Sequence, residues 1–359
     1  MVAFDAGVSL ADRFRVHAGQ QPHLYGVLLR AMADDWGAGG PVRDICRGYE
    51  DAPRGSVIQL RLLAGLFRIA LTGRAPGLTD FYPCLGGSEP PDQAWPAVRT
   101  VLAAHVDELH DALAIPPQTN EVGRSAALLA GLFDLLAQTG VRRVRLLELG
   151  ASAGLNQLLP WFRFEGPAGA DWAWGPPDSP VRLVGAVDGL GPAGLAPLPF
   201  ELVHARGCDP DPVDATSPEG RLLLTSFVWP FDLERHARLA GALEVAAAHP
   251  PTVEQGTAAE WLARTLAELD PDPQILDVVW HSISQLYWPP GEVEAVEAVL
   301  AARGTGVRVA RVAMEYLAPG DEIRRPDLVS TLWSPGEPVR TRELGTVHDH
   351  GIPVRLTPR

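Results

Sequence analysis

The stretch at residues 144–159, VRLLELGASAGLNQLL, combines an acidic residue, a serine and closely spaced glycines, and it fits two kinds of site. Gly150, Ser152 and Gly154 match G-x-S-x-G, the turn that presents the nucleophile of many serine hydrolases. Glu148, Gly150 and Gly154 also match a strand that ends in an acid and turns through glycines, where main-chain N–H groups can face a ligand. The first interpretation makes Ser152 a nucleophile, whereas the second needs only its backbone.

A serine hydrolase also needs an acid and then a histidine later in the chain, and Asp277 and His350 could supply them. In that fold, however, the nucleophile follows several earlier strands, and the loop after one of these strands supplies an N–H group to the oxyanion hole. No alternating strand pattern precedes Val144, and no His-Gly-Gly loop occurs upstream of it. We therefore keep the hydrolase as the less favoured alternative.

The glycine spacing and a second acid favour a bound nucleoside-type cofactor. The spacing departs from G-x-G-x-x-G, which disfavours a nicotinamide or flavin enzyme. Asp209, in ELVHARGCDPDPVD, ends the predicted second strand, where a carboxylate can accept hydrogen bonds from both ribose hydroxyls. The alternative is that Asp209 only begins an Asx turn before Pro210.

The sequence pattern changes near residue 140. Residues 1–140 have apolar side chains three and four apart, which predicts a helical N-terminal domain. In residues 141–359, short β-branched or leucine-rich runs alternate with helical stretches, which predicts an α/β domain with a Rossmann-like, mostly parallel sheet. An inserted hairpin and loop is expected at about 161–200, and the tail predicts an antiparallel hairpin around a Ser-Pro-Gly turn. The parallel strands are expected at 144–149, about 201–207, about 252–255, 275–281 and 307–315.

Charge and cysteine content disfavour several classes of protein. The 359 residues carry a net charge of -14, so no basic surface is predicted that could bind nucleic acid. We find no apolar leader and no run of about 20 uncharged residues, so neither export nor a membrane span is expected. Cys46, Cys84 and Cys208 are scattered, which is typical of a reducing compartment. His348 and His350 lack an evident third partner, so no metal site is expected. We expect a cytoplasmic protein that acts on a small molecule.

Four segments resemble the successive strand-end motifs of class I S-adenosylmethionine-dependent methyltransferases: LLELGASAG, RGCDPDP, VEQGTAAEW and ILDVVWHSISQLYW. This resemblance spans roughly residues 141–359. With the helical part, QTNEVGRSAALL at 118–129 and HDHG near the end, the whole chain resembles an uncharacterised bacterial family, a domain of unknown function with a methyltransferase-like core. The resemblance implies a methyltransferase-type fold and S-adenosylmethionine as the cofactor, but no particular substrate.

The same resemblance implies cofactor contacts. Asp209 matches the acid that binds the ribose. Thr257 stands where many such enzymes have an aspartate facing the adenine amino group, and a hydroxyl accepts that hydrogen bond more weakly than a carboxylate. Because of this departure, a catalytically silent binding protein stays a second alternative. The methionine-binding loop is matched by Glu148, Gly150, Ser152 and Gly154.

Candidate catalytic side chains follow the strand at 275–281. Methyl transfer needs an aligned nucleophile and, when the acceptor is protonated, removal of a proton. His281 ends this strand and is the candidate general base, because an imidazole exchanges a proton near neutral pH. Tyr287 lies just beyond it as a second candidate. A purely structural histidine is the alternative.

The segment QTNEVGR places polar residues in an apolar neighbourhood. It is expected to open a helix with Thr119 or Asn120 as the N-cap. Asn120, Glu121 and Arg124 could bind the substrate beside the cofactor. The alternative is helix capping together with an ion pair between Glu121 and Arg124 within the helix. The sequence as a whole predicts methyl transfer from S-adenosylmethionine to a small molecule.

Overall fold

The computed structural model describes residues 8–191, 195–317 and 325–358. The described residues fall into two compact units. The first runs up to Thr119 and includes Pro218–Ala237, and the second contains Asn120–Ser217 and the residues from Arg238 onward. This division differs from the expected boundary at residue 140 because helix α8 (Ser125–Thr139) packs on strands of the second unit.

The first unit is helical. Its core contains Phe14, Leu28 and Phe67, all fully buried. Among the residues of this unit that the structure describes, none lies in a β-strand, as the apolar spacing predicts. Its helices are α1 (Leu10–Ala18), α2 (Leu24–Gly37), α3 (Pro41–Ile45), α4 (Ile58–Leu71), α5 (Pro76–Thr79), α6 (Trp95–Ala104), α7 (Val106–Ala112), α9 (Pro218–Ser226) and the start of α10 (Leu233–Ala248).

The second unit is built on a nine-stranded sheet in the order β5-β12-β11-β10-β9-β8-β1-β6-β7. The five strands from β7 to β9 run parallel, whereas β10, β11 and β12 pair antiparallel with their sequence neighbours. The predicted α/β class with a mostly parallel sheet is therefore confirmed. The strands are β1 (Arg143–Leu149), β5 (Val187–Asp188), β6 (Glu201–Asp209), β7 (Val253–Gln255), β8 (Ile275–Ser282), β9 (Val309–Glu315), β10 (Asp327–Trp333), β11 (Arg340–Val347) and β12 (Val354–Leu356).

Strand β1 lies where the direction of winding reverses. From β1 the chain continues through β6 and β7 on one side and returns to β8 and β9 on the other. In open parallel sheets, ligands bind beyond the carboxyl ends of the strands at such a reversal. The carboxyl ends of β1, β6, β8 and β9 are therefore the expected location of a site, and we call this region the carboxyl edge.

Helices cover both faces of this sheet. Helices α11 (Ala258–Glu268) and α12 (Glu292–Gly304) pack on the face that carries Leu147 and Val279. Helix α8 packs on the opposite face, where Gly131 meets Val312 so closely that a Cβ atom on the glycine would lie 2.4 Å from the valine. The glycine at position 131 therefore allows helix α8 and the sheet to pack closely against each other.

A buried carboxylate fixes α8 to the antiparallel strands. Asp134 is fully buried and accepts a hydrogen bond from the Ser330 hydroxyl at 2.6 Å and one from Arg342 at 3.1 Å. The Gln138 amide also donates to it at 2.7 Å. Because these donors lie on α8, β10 and β11, one aspartate ties three elements together.

The parallel strands lie within two residues of their predicted positions, but two other predictions need correction. In the described part of residues 161–200, β2 (Arg163–Glu165) and β3 (Ala173–Trp174) pair antiparallel as the expected hairpin does, but β4 (Arg182–Leu183) adds a parallel third strand and β5 joins the main sheet. The tail does form the antiparallel pair β10 and β11, but β12 and β5 extend it. A helix suited to crossing a membrane does not occur in the described part of the chain.

Candidate functional site

Glu148, at the carboxyl end of β1, is one of two acidic residues of the carboxyl edge that are almost completely shielded from water; the other is Glu315 at the end of β9. Its side chain is buried, and Asn156 donates to Oε1 over 3.4 Å. Within the described residues, Oε2 has no hydrogen-bond partner. Burial raises the pKa of Glu148 to about 8, while the nearby Gln157 and Asn156 amides offset the shift in part and Asp209 adds to it. The carboxyl group is therefore mostly protonated at neutral pH.

The glycine turn after β1 has a backbone that only some residues adopt. Gly150, Ser152 and Gly154 all have positive φ values, of 69°, 54° and 71°. For serine this left-handed conformation is unusual, and strained residues of this kind cluster at functional sites. The turn leads into a 3-10 helix, Leu155–Trp161. Pro160 inside this segment lacks the N–H that a continuing α-helix would need.

Asp209 clamps this turn from the end of β6. Its Oδ2 accepts from the Ser152 N–H at 2.8 Å, and its Oδ1 accepts from the Asp211 N–H at 2.9 Å. The second contact is the Asx turn considered above, and the first is a link to the glycine turn. Burial raises the pKa of Asp209, and these two N–H donors oppose that shift.

Asn120 does not cap a helix, so the predicted N-cap is wrong. A 3-10 turn, Val122–Arg124, precedes α8, which begins at Ser125. The Asn120 side chain instead accepts a hydrogen bond from the main-chain N–H of Leu155 at 2.8 Å. Asn120 therefore satisfies the first N–H after the glycine turn, a role that sequence spacing does not indicate.

Replacing Asn120 by alanine is expected to lower the free energy of unfolding by about 1–2 kcal/mol, because the Leu155 N–H would lose its acceptor in a buried place. Hydrogen exchange should show faster exchange of the Leu155 amide in this variant. Asn120→Asp keeps an acceptor oxygen and serves as the matched control. Equal exchange in Asn120→Ala and in the unaltered protein would contradict the assignment.

Glu121 and Arg124 do not form the expected ion pair within a helix. Glu121 is buried, with Arg238 at 3.7 Å and His350 at 3.9 Å. Arg124 donates to the main-chain carbonyl of Ser282 and to that of Asp349, both at 3.1 Å. The segments QTNEVGR and HDHG, distant in sequence, are thus brought together beside the end of β8.

Glycines make this meeting possible. A Cβ atom on Gly351 would lie 2.1 Å from the main chain of Gly123 and Arg124, and one on Gly123 would lie 2.3 Å from the His350 carbonyl oxygen. Any side chain at either position would therefore separate the two segments. We call this contact of residues 121–124 with residues 348–351 the clasp.

His281 and Tyr287 occupy different surroundings. His281 is fully buried at the end of β8, and its Nδ1 lies 2.8 Å from Oε1 of Glu315 at the end of β9. The strand register places His281 on the sheet face opposite to that of Glu148. Tyr287 is 56% exposed. Glu315 was missed from the sequence, although it is an acid that ends a predicted strand, which is the signal that singled out Glu148.

The remaining predicted residues do not converge on one point. Thr257 lies exposed before α11, and its side chain makes no capping hydrogen bond. The acid of the hydrolase alternative, Asp277, is held by Arg145 at 2.6 Å and Arg303 at 3.1 Å, while His350 lies near Glu121. Asp277 is therefore already engaged by two arginines, which disfavours it as the acid of the serine hydrolase alternative. Over the described ranges, no group of three or more His, Cys, Asp or Glu side chains could hold a metal ion.

Fold and carboxyl edge together define an α/β protein whose polar residues gather where a parallel sheet reverses its winding. A family described as "Uncharacterized protein conserved in bacteria (DUF2332)" matches residues 10–355, and the chain belongs to this family. The expected membership of an uncharacterised bacterial family is thereby confirmed. No curated protein matches the sequence.

Proposed function

We propose that this protein binds S-adenosylmethionine at the carboxyl edge and transfers its methyl group to a small molecule. One arrangement carries the proposal: Glu148 ends the strand at the reversal point, and Asp209 from the next strand clamps the glycine turn that follows. The parallel order β7-β6-β1-β8-β9 supports a methyltransferase-type core, since it reverses at the first strand. The antiparallel strands β10, β11 and β12 extend this core beyond β9.

Unpaired buried acceptors fit this cofactor. Glu148 Oε2 and Asn156 Oδ1 are buried and have no hydrogen-bond partner among the described residues. They suit ammonium or hydroxyl donors, both of which S-adenosylmethionine carries. Asp209 accepts two main-chain hydrogen bonds already, but a carboxylate can accept about four, so it can also bind ribose hydroxyls.

When bound, the cofactor supplies a methyl group on a sulfonium sulfur that a nucleophile can attack. The residues that would hold the cofactor are Glu148, the turn of Gly150, Ser152 and Gly154, and Asp209. Thr257 would lie near its adenine ring. In the proposal, His281 accepts a proton from the substrate, and Tyr287 is a second candidate for this role. The QTNEVGR residues Asn120, Glu121 and Arg124 would act on the substrate side, with Asn120 also shaping the turn. The net charge of -14 supports a small molecule over nucleic acid as the partner, and we place the activity in the cytoplasm.

Titration calorimetry with S-adenosylmethionine and S-adenosylhomocysteine tests the cofactor. We expect micromolar binding of both, and binding about tenfold weaker or more in Glu148→Gln. The ligand ammonium would favour loss of the Glu148 proton and pair with the resulting carboxylate, whereas the amide of glutamine cannot become charged. Glu343→Gln makes the same chemical change at an exposed position and should bind as the unaltered protein does. Gly154 is unsuitable for this test, because a Cβ there would lie 2.8 Å from Val253 and disturb folding.

The alternatives give other results. If the unaltered protein releases no heat with either compound, the cofactor assignment is wrong. Binding without methyl transfer to any acceptor would favour the catalytically silent protein. Labelling by a fluorophosphonate that disappears in Ser152→Ala would favour the serine hydrolase, and we expect no such labelling because Asp277 is engaged by two arginines.

A further inference from the structure

His281 has one satisfied and one unsatisfied ring nitrogen in the interior. Nδ1 lies 2.8 Å from Glu315 Oε1, while Nε2 is buried and has no partner among the described residues. A carboxylate accepts hydrogen bonds, so the contact places the ring proton on Nδ1. In the neutral ring, Nε2 then keeps its lone pair and can accept a proton.

Glu315 holds more than the histidine. Its Oε1 also accepts from the Ser284 N–H at 3.0 Å and the Ser284 hydroxyl at 3.3 Å. Its Oε2 is buried without a partner in the described part of the chain. One carboxylate thus joins the ends of β8 and β9 to the residues that follow β8, and the pair retains two unsatisfied acceptor atoms.

Residues 283–288, which we call the cover turn, contact this buried pair through Ser284 and Trp288. Ile283 has φ 49°, a strained conformation for a β-branched residue. The Trp288 ring lies 5.2 Å from that of His281. The Leu286 side chain is 61% exposed. The strain at Ile283 and the unsatisfied acceptors beneath the turn favour a turn that can open.

The cover turn also borders the glycine turn. A Cβ atom on Gly150 would lie 2.8 Å from the Ser284 Cβ, so these two segments are in direct contact. Although His281 and Glu148 point to opposite faces of the sheet, Ser284 therefore connects their surroundings past the strand ends. A small molecule entering at the cover turn would lie next to the proposed cofactor site.

We propose that His281 and Glu315 form a proton-accepting site for an N–H or O–H group of a small molecule, and that the cover turn opens to admit it. The heteroatom–hydrogen bond breaks, its electron pair stays on the nitrogen or oxygen, and the proton moves to His281 Nε2. Glu315 is a positioning residue that fixes the ring proton on Nδ1 and balances the imidazolium charge. This inference rests on the proposed function in one respect: it makes the methyl acceptor a protonated nitrogen or oxygen nucleophile.

Nitrogen NMR of protein labelled at histidine tests the pair without any ligand. The His281 signals can be assigned through single substitutions of the other histidines. At neutral pH, Nε2 of the unaltered protein should resonate as an unprotonated nitrogen and Nδ1 as a protonated one. Glu315→Gln should lose this fixed tautomer, Glu315→Asp should retain it at least in part, and Glu343→Gln should not alter it. A proton on Nε2 in the unaltered protein would overturn the proposal, even if no Glu315 variant folds.

Hydrogen exchange tests the cover turn. Amides of residues 283–288 should exchange about tenfold faster, or more, than those of β8, because opening precedes any unfolding of the sheet. Equal protection of the turn and of β8 would make the turn a fixed part of the fold and overturn its role as a cover. Both measurements use the ligand-free protein, so they are independent of the calorimetry that decides whether S-adenosylmethionine binds.

Discussion

Replacing Asp277 by alanine is expected to lower the free energy of unfolding by about 3–5 kcal/mol, because the change leaves buried arginine charge without its partner. Asp277 is 1% exposed and bonded to Arg145 at 2.6 Å and to Arg303 at 3.1 Å. After the substitution, the acceptors left to the two guanidinium groups among the described residues would be the main-chain carbonyls of Asp270 and Leu269, which carry no charge.

Chemical denaturation, monitored by the hydrogen-exchange protection of amides in β1 and β8, measures this loss of unfolding free energy in the second unit. Asp171→Ala removes an exposed aspartate and should change the free energy of unfolding by less than about 0.5 kcal/mol. If Asp277→Ala and Asp171→Ala behave alike, the arginines find water or other acceptors, and the buried network is not what holds this end of the sheet.

Glu148→Gln should remove a large pH dependence of stability. The pKa of Glu148 is raised from 4.5 to about 8, so between these values the folded protein holds a proton that the unfolded chain releases. Stability therefore falls as pH rises through this window, by about 1.4 kcal/mol per pH unit from this group. Below pH 4.5 both states are protonated, and above pH 8 the loss is complete.

Denaturant unfolding at pH 5, 6.5 and 8 should consequently show Glu148→Gln gaining stability relative to the unaltered protein as the pH increases. Contributions from other titrating groups cancel in that difference. Glu343→Gln, an exposed counterpart, should give a curve parallel to that of the unaltered protein. A parallel curve for Glu148→Gln as well would mean that water reaches the Glu148 carboxyl group in the folded state.

The sequence was sufficient for features that depend on one segment at a time. Buried parallel strands are continuous apolar runs, so β1, β8 and β9 could be placed closely. Glu148 and Asp209 were identified because an acid at the end of such a run stands out. The same rule applied to the strand at 307–315 would have found Glu315.

Features that depend on two distant segments were not predictable in this way. Asn120 has the side chain of an N-cap, and local statistics favour that role, but its partner is the Leu155 N–H, 35 residues away. The pairing of Asp277 with Arg145 requires the register of β1 against β8, which the apolar pattern does not specify. Division of the chain after Thr119 likewise depends on what α8 packs against and not on its own sequence.

The clasp ties the completion of the carboxyl edge to the synthesis of residues 348–351, more than 220 residues after Arg124. Arg124 reaches carbonyls that lie 158 and 225 residues later in the chain. A nascent polypeptide that has emerged only as far as β11 contains the glycine turn, Asp209 and His281, yet Arg124 still lacks its contact at Asp349. Contacts of such large sequence separation form late, since much loop-closure entropy must be lost first. The edge that we propose as the catalytic centre is thus assembled after translation has passed it, so an incomplete chain carries its residues without their final arrangement.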